Sequence, residues 1–472
     1  MRKPIVLLIP VAIVAASTLY PAGEKGTTSS SKSNPPEAYT AYCSSCHGAD
    51  GQDFVGRDWK LGSDSESINR AITDGFELLG MPAFDGVLTE EELHSIQDYL
   101  GERASSEGDF RPSPPQTLQA SDLTIGVHEI INGLETPWGM DFINDSTLLI
   151  TEREGRLWKF ESGVLSEIAG LPSDIHVKGQ GGLLDVMHWS DPNDGSQWIY
   201  LTYSKNHPDD DDLSATALVR APWDATASTI TNWEELFVAE PYESTHRHYG
   251  SRVAIGGDGK MYLTCGERGM RDVHPQTLET APGKVHRFNP DGTIPADNPF
   301  VNTPGAVPSI WSWGHRNPQG MIIHPISGEV WTHEHGPKGG DEINISRRGK
   351  NYGWPKITFG RNYIGTIITR DTAMTGLEQP LHYWLPSIGP CGMQMIHGGA
   401  WPETWQGNLL VGSLSFEYLE RLQISNETVV SRERLLDGIG RVRDIVQNES
   451  GEIFVAVEGA GTILHLEPIL EE

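Results

Sequence analysis

The chain has 472 residues, of which 37% are hydrophobic, with 52 glycines and 14 tryptophans. That is too long for one ordinary core unless the architecture is a large repeat, and too apolar for a disordered protein. A formal net charge of −29 argues against nucleic acid or an anionic membrane surface as partner.

The N-terminus "MRKPIVLLIPVAIVAAS" places Arg2 and Lys3 before an apolar run from Pro4 to Ala16. The run is short for a membrane span and holds Pro10, so an export signal over residues 1–21 is predicted, with an uncleaved anchor as the alternative. Its location would then be periplasmic or secreted, and membrane-tethered if the leader is kept. Residues 22–36 read as a flexible, polar leader. A small helical domain is predicted over 37–103, closed by "LTEEELHSIQDYL". There Thr89 is the N-cap, Glu92 completes a capping box, and Leu93, Ile96, Tyr99 and Leu100 share one face. Pro, Ser and Gly crowd residues 104–121, a predicted linker.

From residue 122 to 472 the pattern changes. "NDSTLLITERE", "GSQWIYLTYS", "GDGKMYLTCGE", "ISGEVWTHEHG", "WQGNLLVGSL" and "ESGEIFVAVEG" each set a turn, a short apolar strand and a polar end in sequence. Six such units predict a six-bladed β-propeller, with the polar residues after each strand facing one mouth of the channel. The fold class expected is mainly β, a six-bladed β-propeller preceded by a small all-α domain.

"CSSCH" (43–47) carries the first chemistry. In Cys-x-x-Cys-His, two thiols (Cys43, Cys46) add to haem vinyl groups and the histidine (His47) ligates iron. No second cysteine pair lies nearby to make a zinc site. Met81 is the expected second axial ligand, because its rival His94 sits on the predicted helix. With "GMP" and the terminal helix, this segment resembles small class I c-type cytochromes. The other cysteines, Cys265 and Cys391, are expected to be buried thiols, with a single bridge between them as the alternative.

Four clusters in the second domain exceed what scaffolding needs. They are "THRHYGSR" (245–252), "IWSWGHRNPQG" (310–320), "THEHGPKGGDEINISRRGKNYGWP" (332–355) and "GIGRVRDI" (438–445). His246 and His248 alternate, as do Arg441 and Arg443, so each pair would share a face of an extended chain. Arginine forks suit carboxylates, which points to a polyanionic ligand, a metal, or both. "HPDDDDL" (207–213) is read as a solvated loop.

With "LETPWGMDF", "GQGGLLDV", "HYGSR", "WGHRNPQGM", "EHGPKGGDEINI", "GKNYGWP" and "RVRDI" in order, the second domain resembles the soluble quinoprotein aldose and glucose dehydrogenases. The resemblance implies pyrroloquinoline quinone (PQQ) and calcium as cofactors beside haem c, and oxidation of an aldose to its lactone. It implies His248 as general base, supported by Glu267. Gln180, Arg316, Asn317, Arg441 and Arg443 would hold PQQ. Carbonyls of Gly336 and Pro337 would bind calcium, and Glu342 and Tyr352 match a second calcium position. Electrons would pass to the haem and on to an acceptor such as another cytochrome or a respiratory component. One departure is Ser415, where the family has a lysine, and a second is the loop "LPSIGPCGMQ" (385–394), expected to border the sugar. Two other readings stay open: a calcium-dependent lactonase-type hydrolase, and a cofactor-free docking module attached to the cytochrome.

Overall fold

The computed structural model describes residues 35–47, 54, 61–75, 81, 83–104 and 114–470. The predicted export signal, and all but the last two residues of the predicted leader, lie outside the described residues. No helix among the described residues is long and apolar enough to cross a membrane.

Among the described residues the first domain contributes four helices: α1 (Glu37–Tyr42), α2 (Ser44–His47), α3 (Ser65–Asp74) and α4 (Glu90–Ala104). The capping box forms as expected: the Thr89 amide donates to Glu92 Oε2 at 2.8 Å, and the Glu92 amide donates to Thr89 Oγ1 at 3.2 Å. Of the predicted face, Ile96, Tyr99 and Leu100 are buried with Tyr39, Ile68, Ile72 and Phe84, and Leu93 packs at the edge. The His47 amide donates to the Cys43 carbonyl at 3.0 Å, one helical turn that sets both side chains on the same side. His94 is exposed on α4, with its ring Nδ1 2.7 Å from the Glu90 carbonyl.

The rest is a ring of six antiparallel sheets. Their innermost strands are Pro137–Asn144, Leu183–Ser190, Gly250–Ile255, Pro318–Ile323, Pro390–Met395 and Arg441–Gln447, each packed against the next around the channel. The second strands are Thr147–Glu152, Gln197–His207, Met261–Cys265, Val330–Glu334, Leu409–Ser413 and Ile453–Glu458. These are the six apolar units visible in the sequence. They stand out because both faces of a second strand are covered, so the run is nearly continuous rather than alternating.

The ring closes where Thr124–Ile131 pairs with Thr462–Ile469, so the final blade joins the two ends of the domain. Thr117–Gln119 adds a fifth strand to that blade. Part of the Pro- and Ser-rich segment at 104–121 is therefore sheet, and the propeller begins before Asp122. Apolar layers fill the gaps between blades, as with Ile445, Val455 and Leu464 against Trp401, Trp405 and Leu410. Cys265 and Cys391 are buried free thiols. The aspartates of "HPDDDDL" are exposed where the hairpin between Gln197–His207 and Asp210–Pro222 turns.

Candidate functional site

Strand polarity decides what meets at the mouth. In every blade the innermost strand starts at the end where the second strand finishes, so residues just before one and just after the other converge. Gln180, His248, Arg316, Asn317 and Gly389 come from the first group or its edge; Arg153, Glu267, Gly336 and Ser415 come from the second. A cavity of about 180 Å³ is lined by His248, Gln180, Arg316, Asn317, Arg441 and Arg443, together with Arg153 and Ser415.

His248 is the best-defined group. Its Nδ1 lies 2.8 Å from Glu267 Oε1, and its backbone amide donates to Gln180 Oε1 at 2.8 Å. A carboxylate on Nδ1 keeps the proton there and leaves Nε2 as a lone pair. No protein hydrogen bond engages Nε2 among the described residues, and the ring lines the cavity. Burial, reinforced by the Arg316 guanidinium, lowers the His248 pKa to about 4, so the imidazole is neutral near neutral pH. The residue is held at φ 55°, a left-handed conformation uncommon for a histidine, over-determined by these bonds. That turn also separates the two alternating histidines. His246 does not join His248 but bonds His176, ring nitrogen to ring nitrogen at 3.0 Å, which corrects the shared-face expectation.

Arg316 Nη1 donates to the carbonyls of His335 and Gly336, at 3.0 and 2.9 Å. Asn317 Oδ1 accepts from the Gly250 amide and from Gln319 Nε2, both at 3.2 Å, which leaves its Nδ2 as the available donor. Arg441 and Arg443 do converge, and the point they share is Glu458. Arg443 meets it through Nε at 2.8 Å and through Nη2, and its Nη1 reaches Cys391 Sγ at 3.4 Å. The Arg443 fork is thus engaged within the protein, and Arg441 sits closer to the open cavity edge, 3.6 Å from Glu458. Gln180 holds the His248 backbone as well as lining the cavity. Cys391 is fully buried beneath the mouth, as expected of it, and within the loop 385–394 it is Ser387 and Gly389 that face the cavity.

Below the mouth, Arg252 of "HYGSR" occupies the channel axis. It pairs with Asp185 at 3.1 Å and Asp444 at 2.9 Å, donates to the carbonyls of Gln319 and Arg443, and covers the Trp138 ring. One guanidinium thereby ties five blades under the site and fixes the backbone of Arg443. No local pattern in the sequence announces this role. Arg153 and Glu458, by contrast, follow or end second strands and are the polar ends of "NDSTLLITERE" and "ESGEIFVAVEG".

Gly336 and Pro337 lie in a turn held by Asp341, whose carboxylate accepts from the amides of Gly336, Ile388 and Gly389. Among the described residues no cluster of three or more His, Cys, Asp or Glu is poised for a metal. Any hard cation at this turn would rest on carbonyl oxygens. Glu342 lies near Glu334, and both accept from Asn344 Nδ2 at 3.3 Å. Burial and the Glu334 charge raise the Glu342 pKa to about 8, and Asn344 Oδ1 is buried without a hydrogen bond. That oxygen-rich, electron-rich pocket suits a cation. The Tyr352 hydroxyl is engaged, donating to the Ile345 carbonyl and accepting from the Arg347 amide at 2.8 Å, which leaves only its carbonyl as a ligand.

On the helical domain, Cys43, His47 and Met81 line one cavity. Cys46 lies in α2, and its side chain is outside the described residues.

A β-propeller with a histidine–carboxylate pair at an arginine-lined mouth, joined to a cytochrome c domain, defines an oxidoreductase of the sugar dehydrogenase class. The family model "Glucose / Sorbosone dehydrogenase" matches residues 134–465, and the chain belongs to that family. A second model, "Cytochrome C oxidase, cbb3-type, subunit III", matches residues 31–100. The chain is 37% identical over 358 residues to the aldose sugar dehydrogenase YliI of Escherichia coli (strain K12), covering 74% of this chain and 95% of the relative. It is 25% identical over 440 residues to quinoprotein glucose dehydrogenase B of Acinetobacter calcoaceticus, covering 76% and 91%. Among solved structures, the apo-form of the soluble aldose sugar dehydrogenase from Escherichia coli matches with a TM-score of 0.69 and 34% identity, covering 73% of this chain and all of that one.

Proposed function

We propose that this exported chain oxidises an aldose at its anomeric carbon to the lactone, with PQQ and calcium as cofactors, and delivers the electrons to a haem c of the same polypeptide. The observation that carries the reading is His248: neutral, held by Glu267, with Nε2 open to a cavity bordered by arginines. PQQ, when bound, supplies a two-electron acceptor and calcium a Lewis acid.

His248 Nε2 takes the proton of the anomeric hydroxyl, and Glu267 keeps the ring in the correct tautomer and stabilises the imidazolium that forms. Arg316, Arg441 and the Asn317 amide hold the cofactor's carboxylates and carbonyls, with Arg443 and Gln180 beneath and beside them. Arg153, which lines the same cavity, offers a positive charge that Ser415 lacks. Carbonyls of Gly336 and Pro337 bind the calcium, and Glu342 with the Tyr352 carbonyl binds a second, structural one. In the cytochrome domain Cys43 and Cys46 would anchor the haem, and His47 and Met81 would ligate its iron, supplying a one-electron carrier. The partner downstream would be an electron acceptor such as another cytochrome or a respiratory component. Relatives named aldose sugar dehydrogenase and quinoprotein glucose dehydrogenase support the substrate class and the quinone.

The test uses the full haem-bearing chain supplied with PQQ and calcium, a panel of aldoses, and the haem absorbance. Sugar-dependent haem reduction that a calcium chelator prevents is the expected result. If no aldose reduces haem or a soluble dye although PQQ is bound, the reading fails. Lactone hydrolysis without PQQ would favour the hydrolase instead.

A further inference from the structure

Residues Pro35–Glu472 form one compact unit, with the cytochrome domain seated on the propeller. The cavity that Cys43, His47 and Met81 line is continuous with the mouth: His248, Arg316 and Arg441 border the same space of about 860 Å³. At its rim, Lys338 Nζ lies 4.3 Å from the centroid of the Tyr42 ring. Both partners stand at informative positions. Tyr42 directly precedes Cys43, and its ring packs edge-on against Phe84. Lys338 directly follows Gly336 and Pro337, and its amide donates to the Arg361 carbonyl at 3.0 Å, which fixes the turn that carries it. Both side chains are half-buried, so water screens the contact only in part.

We propose that the Lys338–Tyr42 contact is the latch that seats the cytochrome domain over the propeller mouth, so that the haem-binding segment and the His248 site open onto one shared cavity. The latch joins the residue next to the haem-anchoring cysteine to the turn at the cavity rim. Separation of the two domains lengthens the path between them, and electron transfer weakens steeply with distance. Its kinetic consequence rests on the sugar-oxidation reading; the seating itself does not. A sugar must also reach the mouth past the cytochrome domain, which makes this domain part of the entrance.

The test compares the full-length, haem-loaded chain with Lys338→Met, Tyr42→Leu and Lys338→Arg variants. Small-angle scattering without PQQ reads the seating. With PQQ, calcium and an aldose, stopped-flow haem absorbance reads delivery to the haem, and a soluble dye reads oxidation of the sugar. Lys338→Met and Tyr42→Leu should increase the radius of gyration and slow haem reduction about tenfold, the loss expected of a partly desolvated cation–π contact, while dye turnover stays near the wild-type rate. Lys338→Arg keeps the cation and should behave as wild type. Unchanged scattering and unchanged haem reduction in both Lys338→Met and Tyr42→Leu would overturn the latch. Wild-type enzyme that reduces neither dye nor haem would overturn the sugar-oxidation reading instead, and scattering would still decide the latch.

Discussion

Two histidine–carboxylate pairs stand side by side in this propeller, built alike and placed to do different things. His248 meets Glu267 at 2.8 Å and His315 meets Glu334 at 3.0 Å, each through Nδ1 and each across a separation of 19 residues. Both histidines precede an innermost strand, and both carboxylates lie at the end of the following second strand. The difference is the other ring nitrogen. His315 Nε2 bonds Ser312 Oγ at 2.8 Å, and the ring stacks on Tyr352 with centroids 4.6 Å apart. His248 Nε2 has no such bond among the described residues, and the ring lines the cavity. A dyad becomes a base only where the fold leaves one nitrogen to a ligand; elsewhere the same geometry is a buried cross-link.

His248→Ala should lower aldose-driven dye reduction by about 10³-fold while a PQQ titration by absorbance still saturates. Turnover close to wild type would mean that another group is the base. Glu267→Gln leaves the ring in place but can donate to Nδ1 and favour the wrong tautomer, so a loss of about 10²-fold in kcat is expected, with little change in KM. His315→Gln should do the reverse. It should lower the free energy of unfolding by about 1–3 kcal/mol through a buried carboxylate left short of partners, measured by denaturant titration, with turnover per folded molecule retained. A large loss of turnover in folded His315→Gln would erase the distinction between the two pairs.

Much of this was legible in the sequence, for stated physical reasons. Second strands are covered on both faces and read as apolar runs, so the number of blades could be counted. Cys-x-x-Cys-His and the Thr89–Glu92 capping box are local, and local chemistry survives in the sequence. Arg441 and Arg443 alternate on a strand and do converge. What the sequence hid is non-local. Nothing near Arg441 and Arg443 announces that Glu458 meets both, nor that Arg252 ties five blades under the site. The alternation of His246 and His248 misled because the positive φ at His248 ends the extended chain there. Cys391 sits in a loop whose neighbours face the cavity, yet its own side chain points into the floor. The end of the segment at 104–121 reads as linker by composition and pairs as strand because the closing blade offers it an edge.

In the proposed reaction a neutral His248, held by Glu267, is the base that starts sugar oxidation. The pH dependence of kcat/KM in the PQQ- and calcium-loaded chain reads that base, with a soluble dye as acceptor so that the haem is not rate-limiting. Burial and Arg316 depress the His248 pKa from 6.5 to about 4, so the base is lost only as pH falls through that lower value. An acidic limb displaced below 6.5 toward 4 is expected, absent from the residual activity of His248→Ala. A limb at or above 6.5, or one that persists unchanged in that variant, would contradict it.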